Sequence, residues 1–126
     1  MQKNPEAPPT SSVSHLPLVP IYVISSQNDY RRHAHHAVTR WIALSPEHAG
    51  AAFGLKWWFS VTDGNYQYSI LDCGASAALA QDALNLGVGW VICRAPAAQL
   101  AALATNSLFV KRVLTERPAP HSLTSE

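Results

Sequence analysis

Tyr68-Ser-Ile-Leu-Asp-Cys-Gly74 and Val88-Gly-Trp-Val-Ile-Cys-Arg94 are two short apolar runs, and a stretch rich in alanine and leucine follows each of them. Those two stretches, 75–87 and 96–104, have the length and composition of helices. A strand, a helix that ends at a glycine and a second apolar strand form the sequence pattern of a parallel βαβ unit. Residues 68–104 are therefore predicted to form such a unit within an α/β domain.

The sequence before this unit predicts further strands and helices. Residues 18–24 are rich in valine and isoleucine and predict a strand, and apolar residues spaced by threes and fours predict a helix over 27–43. Ser45-Pro46 is typical of a helix start. Residues 56–62, with their aromatic and β-branched side chains, predict another strand.

Asp63-Gly64-Asn65 is a strong turn signal between two strand-like runs, so 56–62 and 66–72 are predicted to form a hairpin. The hairpin would add an antiparallel pair, and the expected architecture is a small mixed sheet of about 4–5 strands with helices packed on it. Residues 108–114 fit either a last strand or a helical turn.

Chain length predicts one domain over residues 17–115. Residues 1–16 and 116–126 have no apolar periodicity, and we expect them to be flexible tails. Within the domain we expect one core that contains residues from the βαβ unit, and these are Leu71, Leu79, Leu84, Val91 and Ile92.

The composition narrows the class of function. Charged residues make up 13% of the chain, against about 25% in typical proteins, which favours self-association or a protein partner. The formal net charge of +1 predicts no general attraction to nucleic acid or to a membrane surface. Two cysteines form no disulfide framework, the N-terminus has no apolar signal region, and no apolar run reaches membrane-spanning length. These features predict a cytoplasmic protein that does not interact with a membrane.

The candidate site lies at the carboxyl ends of the two parallel strands, where α/β proteins place their ligand-binding groups. Asp72, Cys73, Gly74 and Arg94 occupy these positions. Gly74 allows a ligand to approach the backbone, and Arg94 can pair with an anion. The sequence therefore predicts a small binding or regulatory domain for an anionic ligand. Alternatively, Asp72 and Arg94 bridge each other and neither binds a ligand.

Catalysis is a second interpretation of the same residues, and the sequence alone does not establish whether the protein is an enzyme. A thiol at a helix N-terminus experiences the positive end of the helix dipole, which lowers its pKa. Cys73 would then be a nucleophile or redox group, with Asp72 as a base. Against this stand the frequent burial of free cysteines and the frequent use of aspartate as a helix cap. No cofactor motif is present.

A third interpretation concerns the polar run from Arg31 to Arg40, which contains three arginines and three histidines. Such a helix face can contact phosphates of a nucleic acid, although the low overall charge disfavours this. His33 and His36 are three residues apart and are weak candidates for metal ligands, because zinc needs at least three protein ligands. The simplest alternative is a solvated helix face.

Overall fold

The computed structural model describes residues 16–121, which form one five-stranded sheet with four helices. The elements follow in the order β1 (Ile21–Val23), α1 (Gln27–His36), β2 (Ile42–Leu44), α2 (Ala49–Val61), β3 (Ser69–Asp72), α3 (Ala77–Asn85), β4 (Trp90–Ile92), α4 (Ala97–Ala104) and β5 (Val113–Leu114). The predicted α/β class and the βαβ unit over 68–104 are confirmed. Most of the two predicted tails, residues 1–15 and 122–126, lies outside the described residues.

The five strands lie side by side in chain order, and all four strand pairings in the described residues are parallel. Crossovers between parallel strands are almost always right-handed, so a sheet that grows in one direction receives every helix on the same face. In agreement with this rule, α1 contacts α2, α2 contacts α3, and α3 contacts α4. Within residues 16–121, one face of the sheet therefore carries all four helices and the other carries none.

Each face of the sheet has its own buried core. On the helix face, side chains of α2, α3 and α4 pack on alternate strand residues, among them Ala43, Leu71, Cys73, Val91 and Cys93. The intervening strand residues form the second core, on what we call the bare face: Ile21, Ile42, Leu44, Ile70, Ile92 and Leu114. Side chains that precede β1, Leu16 and Val19, pack on this second core. We expected Ile92 to share one core with the other residues of the βαβ unit, but it belongs to the core of the bare face.

The predicted hairpin is wrong, and the sheet is fully parallel where we expected a mixed one. Residues 56–61 belong to α2, and β3 pairs in parallel with β2 through Ala43 and Ser69. The aromatic run forms a helix because Trp58, Val61 and Thr62 share one helical face and are buried. The buried Trp58 indole Nε1–H donates to Ser69 Oγ at 2.8 Å, so the helix is joined to the start of β3.

The turn signal at Asp63-Gly64 terminates α2 instead of joining two strands. Asp63 and Gly64 have φ angles of 55° and 81°, the left-handed conformation with which many helices end. The amide of Gly64 donates to the carbonyl oxygen of Phe59 at 3.0 Å. The same residues therefore mark a chain reversal, but the reversal follows a helix.

The helix predicted over 27–43 is wrong beyond His36. Ala37 has an extended backbone, residues 37–41 form a loop, and Ile42–Leu44 is β2. Val38, which the apolar spacing placed on the buried face, is 96% exposed. The apolar residues of β2 continued the helical spacing by chance, because a three-residue strand has too few positions to show its own period.

No helix in residues 16–121 has both the length and the apolar character needed to cross a membrane. This finding agrees with the absence of a long apolar run in the sequence.

Candidate functional site

The carboxylate of Asp72 is the centre of the predicted site. It lies at the carboxyl end of β3 on the bare face and is fully buried. Three groups contact it: the backbone N–H of Gly74 donates to Oδ1 at 3.0 Å, Arg117 Nη1 lies 2.9 Å from Oδ2, and Arg94 Nη1 lies 3.4 Å from Oδ1. A buried carboxylate is stable only with such partners, so these contacts account for its burial.

Neighbouring strands determine the position of this cluster. Asp72 lies opposite Ile92 in the β3–β4 pairing, and Arg94 follows two residues later on the same face. The amide of Arg94 donates to the carbonyl oxygen of Gly74 at 2.6 Å, and the amide of Asp72 donates to Ser45 Oγ at 2.9 Å. Loops that follow three different strands thus meet at one place.

A close contact between a helix and a strand completes the frame. A Cβ atom added to Gly50, in the first turn of α2, would lie 2.6 Å from the carbonyl oxygen of Asp72. Only glycine allows this approach without a shift of the backbone. The first turn of α2 therefore packs directly against the end of β3 that carries Asp72.

The local charge at the site is positive. Asp72 supplies one negative charge, whereas Arg94 and Arg117 supply two positive charges. The Arg94 side chain is 34% exposed, so its guanidinium reaches solvent while one nitrogen faces the carboxylate. An anion at this edge would meet one unneutralised charge.

Cys73 lies apart from these groups, because alternate residues of a strand point to opposite faces. Its side chain belongs to the helix-face core and is fully buried. Burial is the main cause that raises the pKa of the Cys73 thiol to about 12, with smaller contributions from the nearby Cys93 and Asp72. The lowering of the thiol pKa expected from the helix dipole is not found, because desolvation is the larger effect.

The structure brings together three of the four predicted site residues, Asp72, Gly74 and Arg94. It adds Arg117, which the sequence analysis assigned to the C-terminal tail. The signal that could have identified Arg117 is weak: it is an arginine before a Pro-Ala-Pro run, and nothing in that run predicts contact with Asp72.

The polar face of α1 uses its charges mainly within the protein. Arg31 pairs with Asp63 at 3.0 Å, and Arg32 pairs with Asp29 at 2.7 Å. His33 is largely buried, with its side chain 14% exposed, and so does not belong to a solvated face. Within residues 16–121, no three side chains of the metal-ligating types are grouped so that they could hold a metal ion.

A cavity of about 340 Å³ lies away from the carboxyl edge, between the C-terminal end of α1 and the residues around the amino ends of β1 and β2. Tyr22, His33, His36, Val38 and Trp41 are among the residues that line it. The sequence analysis missed this cavity because it predicted one continuous helix through residues 37–41, where the structure has a loop.

Comparison with models of protein families, with curated protein sequences and with solved structures finds no match to this chain. The functional interpretation therefore depends on the geometry and chemistry of the chain itself.

Proposed function

We propose that the chain is a small binding domain whose anionic ligand occupies the carboxyl edge of the sheet beside Arg94 and Arg117. The observation that carries this proposal is the sharing of one buried carboxylate by two guanidinium groups. The two arginines together leave an excess positive charge at this edge of the sheet.

Asp72 serves in this proposal as the residue that positions the two arginines. Its carboxylate contacts one nitrogen of each guanidinium, and the side chains of Arg94 and Arg117 make no other hydrogen bond within residues 16–121. A guanidinium carries five N–H donors, so several remain for a ligand. Arginines held in one orientation bind phosphate or carboxylate groups well, because less side-chain entropy is lost on binding.

The helix termini support the same choice of ligand charge. α3 begins at Ala77 and α4 at Ala97, directly after the loops that carry Gly74 and Arg94. The N-terminal end of a helix carries a partial positive charge, which favours a nearby anion. Both helix termini therefore add to the positive potential that the arginines create.

Thiol chemistry is the weaker alternative. Cys73 is buried on the other face of the sheet, and its pKa near 12 leaves the thiol protonated at neutral pH. The thiolate is the nucleophilic form, so both access and protonation state disfavour a reaction at this residue.

Contact with nucleic acid through α1 is likewise less well supported than the anion site. Arg31 and Arg32 each pair with an aspartate, and binding to a phosphate would compete with those pairs. A formal net charge of +1 gives little long-range attraction to a polyanion.

The test is a titration of the full chain with inorganic phosphate and with citrate, monitored by backbone amide NMR. We expect saturable shifts at Gly74, Arg94 and the following residues. Arg94→Gln should weaken binding roughly tenfold, the usual effect of losing a hydrogen bond to a charged group. Arg31→Gln is the matched control, because it removes an equal charge from α1 and should change affinity less than twofold.

Three outcomes would contradict this proposal. Equal losses from Arg94→Gln and Arg31→Gln would indicate diffuse electrostatic attraction without a site. A loss confined to Arg31→Gln would move the site to α1. A folded chain that shows no saturable shift with either anion would leave the Asp72 cluster as a structural ion pair only.

Association with a second copy and a cytoplasmic location also belong to this proposal. Large apolar side chains are exposed at several points of the described surface, namely Leu18, Val38, Phe53, Leu86 and Leu108. Both cysteines are free and buried, which is consistent with a reducing compartment. Light scattering over a range of concentrations tests the association, and a constant monomer mass would contradict it.

A further inference from the structure

The cavity beside α1 is separate from the carboxyl edge and has its own chemistry. Its volume of about 340 Å³ falls at the small end of the range for ligand sites, which suits a molecule of one or two rings. The residues that line it come from α1, from β1 and from the loop before β2.

Aromatic rings form one wall of the cavity. The rings of Tyr22 and His33 are 4.9 Å apart, and Trp41 lies 5.9 Å from Tyr22 and 5.8 Å from His33, all measured between centroids. Tilted rings at these distances attract one another, so the wall is preformed. A planar ligand can add one more ring to this cluster.

His33 supplies the polar group of the wall. Its Nδ1 lies 3.1 Å from the carbonyl oxygen of Asp29, and a carbonyl oxygen only accepts hydrogen bonds, so Nδ1 carries the hydrogen. In the neutral ring Nε2 is then an acceptor. Nε2 is shielded from solvent and has no hydrogen-bond partner among residues 16–121. Most buried polar groups in proteins are paired, so this nitrogen marks a position where a donor is expected.

The charges around the cavity favour an uncharged ligand. Arg32 also lines it, but its guanidinium is paired with Asp29 at 2.7 Å, so these two charges largely offset each other. The C-terminal end of α1 carries the partial negative charge of the helix dipole, which disfavours an anion. The last carbonyl groups of a helix lack partners within the helix and accept hydrogen bonds, so they too favour a donor.

We propose that this cavity binds a small, planar, uncharged molecule that carries an N–H or O–H donor, with the donor directed to His33 Nε2 and the ring packed on Tyr22 and Trp41. Because Nε2 is shielded, binding includes a small movement of the neighbouring rings. Side-chain changes of this size are common when ligands bind.

The test compares indole with benzofuran, which has nearly the same shape but an oxygen in place of the N–H group. The full chain is titrated with each compound, and the side-chain N–H signal of Trp41 is followed by NMR. We expect saturable binding of both compounds and a preference for indole of roughly five- to tenfold, the usual effect of one hydrogen bond.

His33→Phe keeps a ring in the wall and removes Nε2, so it should abolish the preference for indole. His35→Phe is the matched control, because His35 is exposed on the same helix and does not line the cavity. The ratio of the two affinities does not depend on the overall stability of a variant. If His33→Phe does not fold, the shift of Trp41 in the unmodified chain still locates the ligand.

The proposal is overturned by any of four results: no saturable binding, equal affinity for the two compounds, a preference that persists in His33→Phe, or binding that leaves the Trp41 signal unchanged. Contacts in NMR spectra between this wall and residues 1–15 or 122–126 would show that the chain itself occupies the cavity, and would also overturn it.

Discussion

The two faces of the sheet are covered by different kinds of chain segment. On the helix face, the helices cover the strands with apolar side chains, and even the cysteines are fully buried. On the bare face, the strand side chains are covered by chain segments outside the helices, and the only fully buried charge among residues 16–121 lies there, at Asp72. The helices cover their face mainly with apolar side chains. The irregular segments cover a face that also buries the charge of Asp72, at the carboxyl end of the sheet.

This difference indicates how the chain segment after β5 is attached. Arg117 contacts Asp72, and the amide of His121 donates to the carbonyl oxygen of Ile21 in β1 at 2.6 Å. The segment therefore runs from the β5 edge of the sheet to the β1 edge. Polar contacts hold it at Asp72 in β3 and at Ile21 in β1, and Pro118 between these two contacts is buried.

Among the single substitutions, Arg117→Ala should have the largest effect on stability. It removes one of the two cations that neutralise the buried Asp72, and breaking a buried pair in this way costs about 3–5 kcal/mol. Chemical denaturation measures the loss. Arg31→Ala is the control. It removes an exposed ion pair and should leave the denaturation midpoint almost unchanged.

A second variant separates the charge from the packing of the Arg117 side chain. In the Arg117→Ala background, Asp72→Asn removes the uncompensated charge and should recover part of the lost stability. A loss below about 0.5 kcal/mol for Arg117→Ala would instead show that the segment after β5 is not held by this pair.

Leu84→Ala tests the helix face. Leu84 is 3% exposed in the core between α3 and the sheet, and truncation of a buried leucine costs about 2–5 kcal/mol. Leu86→Ala is the matched control. Because the Leu86 side chain is 54% exposed, its truncation should lower the free energy of unfolding much less. Similar losses for both variants would contradict the assignment of this face of α3 to the core.

The sequence predicted the helix face better than the bare face. The βαβ unit was predictable because α3 is long enough to show its own periodicity, is followed by Gly87 and is flanked by two short apolar runs. α2 was not, since Trp57, Trp58 and Phe59 favour strands in isolation and become helical through contact with the sheet. The preference of each residue is local, whereas the need for a crossover between β2 and β3 is a property of the whole fold.

The candidate site, like the fold, was predictable only in part. Asp72, Gly74 and Arg94 follow from the rule that parallel strands end at one edge. Arg117 does not follow from it, because its contact depends on the path of a segment that has no periodic pattern. The His33 cavity was hidden for a related reason: it exists only because α1 ends at His36.

Alkaline pH should weaken the helix face through Cys73. The thiol has an ordinary pKa of 9.0 and a pKa of about 12 in the folded protein. Between these values the unfolded chain loses a proton that the folded chain retains, so stability is full below pH 9 and falls as pH rises toward 12, by roughly 1 kcal/mol per pH unit.

Denaturation between pH 8 and 10.5 measures this slope, and the difference between the natural chain and Cys73→Ala isolates it from tyrosine and lysine titration. We expect a shallower decline in the variant, whatever its stability at neutral pH. Identical slopes would show that the Cys73 thiol ionises in the folded state as easily as in the unfolded one.

Deletion of residues 1–14 should have the smallest effect. Their sequence is polar and rich in proline, with no apolar periodicity that could cover a sheet. The side chains that pack on the bare face from this end of the described chain, Leu16 and Val19, remain. We therefore expect the free energy of unfolding to change by less than about 1 kcal/mol.

Deletion of residues 117–126 is the comparison, because it removes Arg117 and His121 and should cost at least as much as Arg117→Ala. Equal effects of the two deletions would mean that the bare face depends on both ends of the chain.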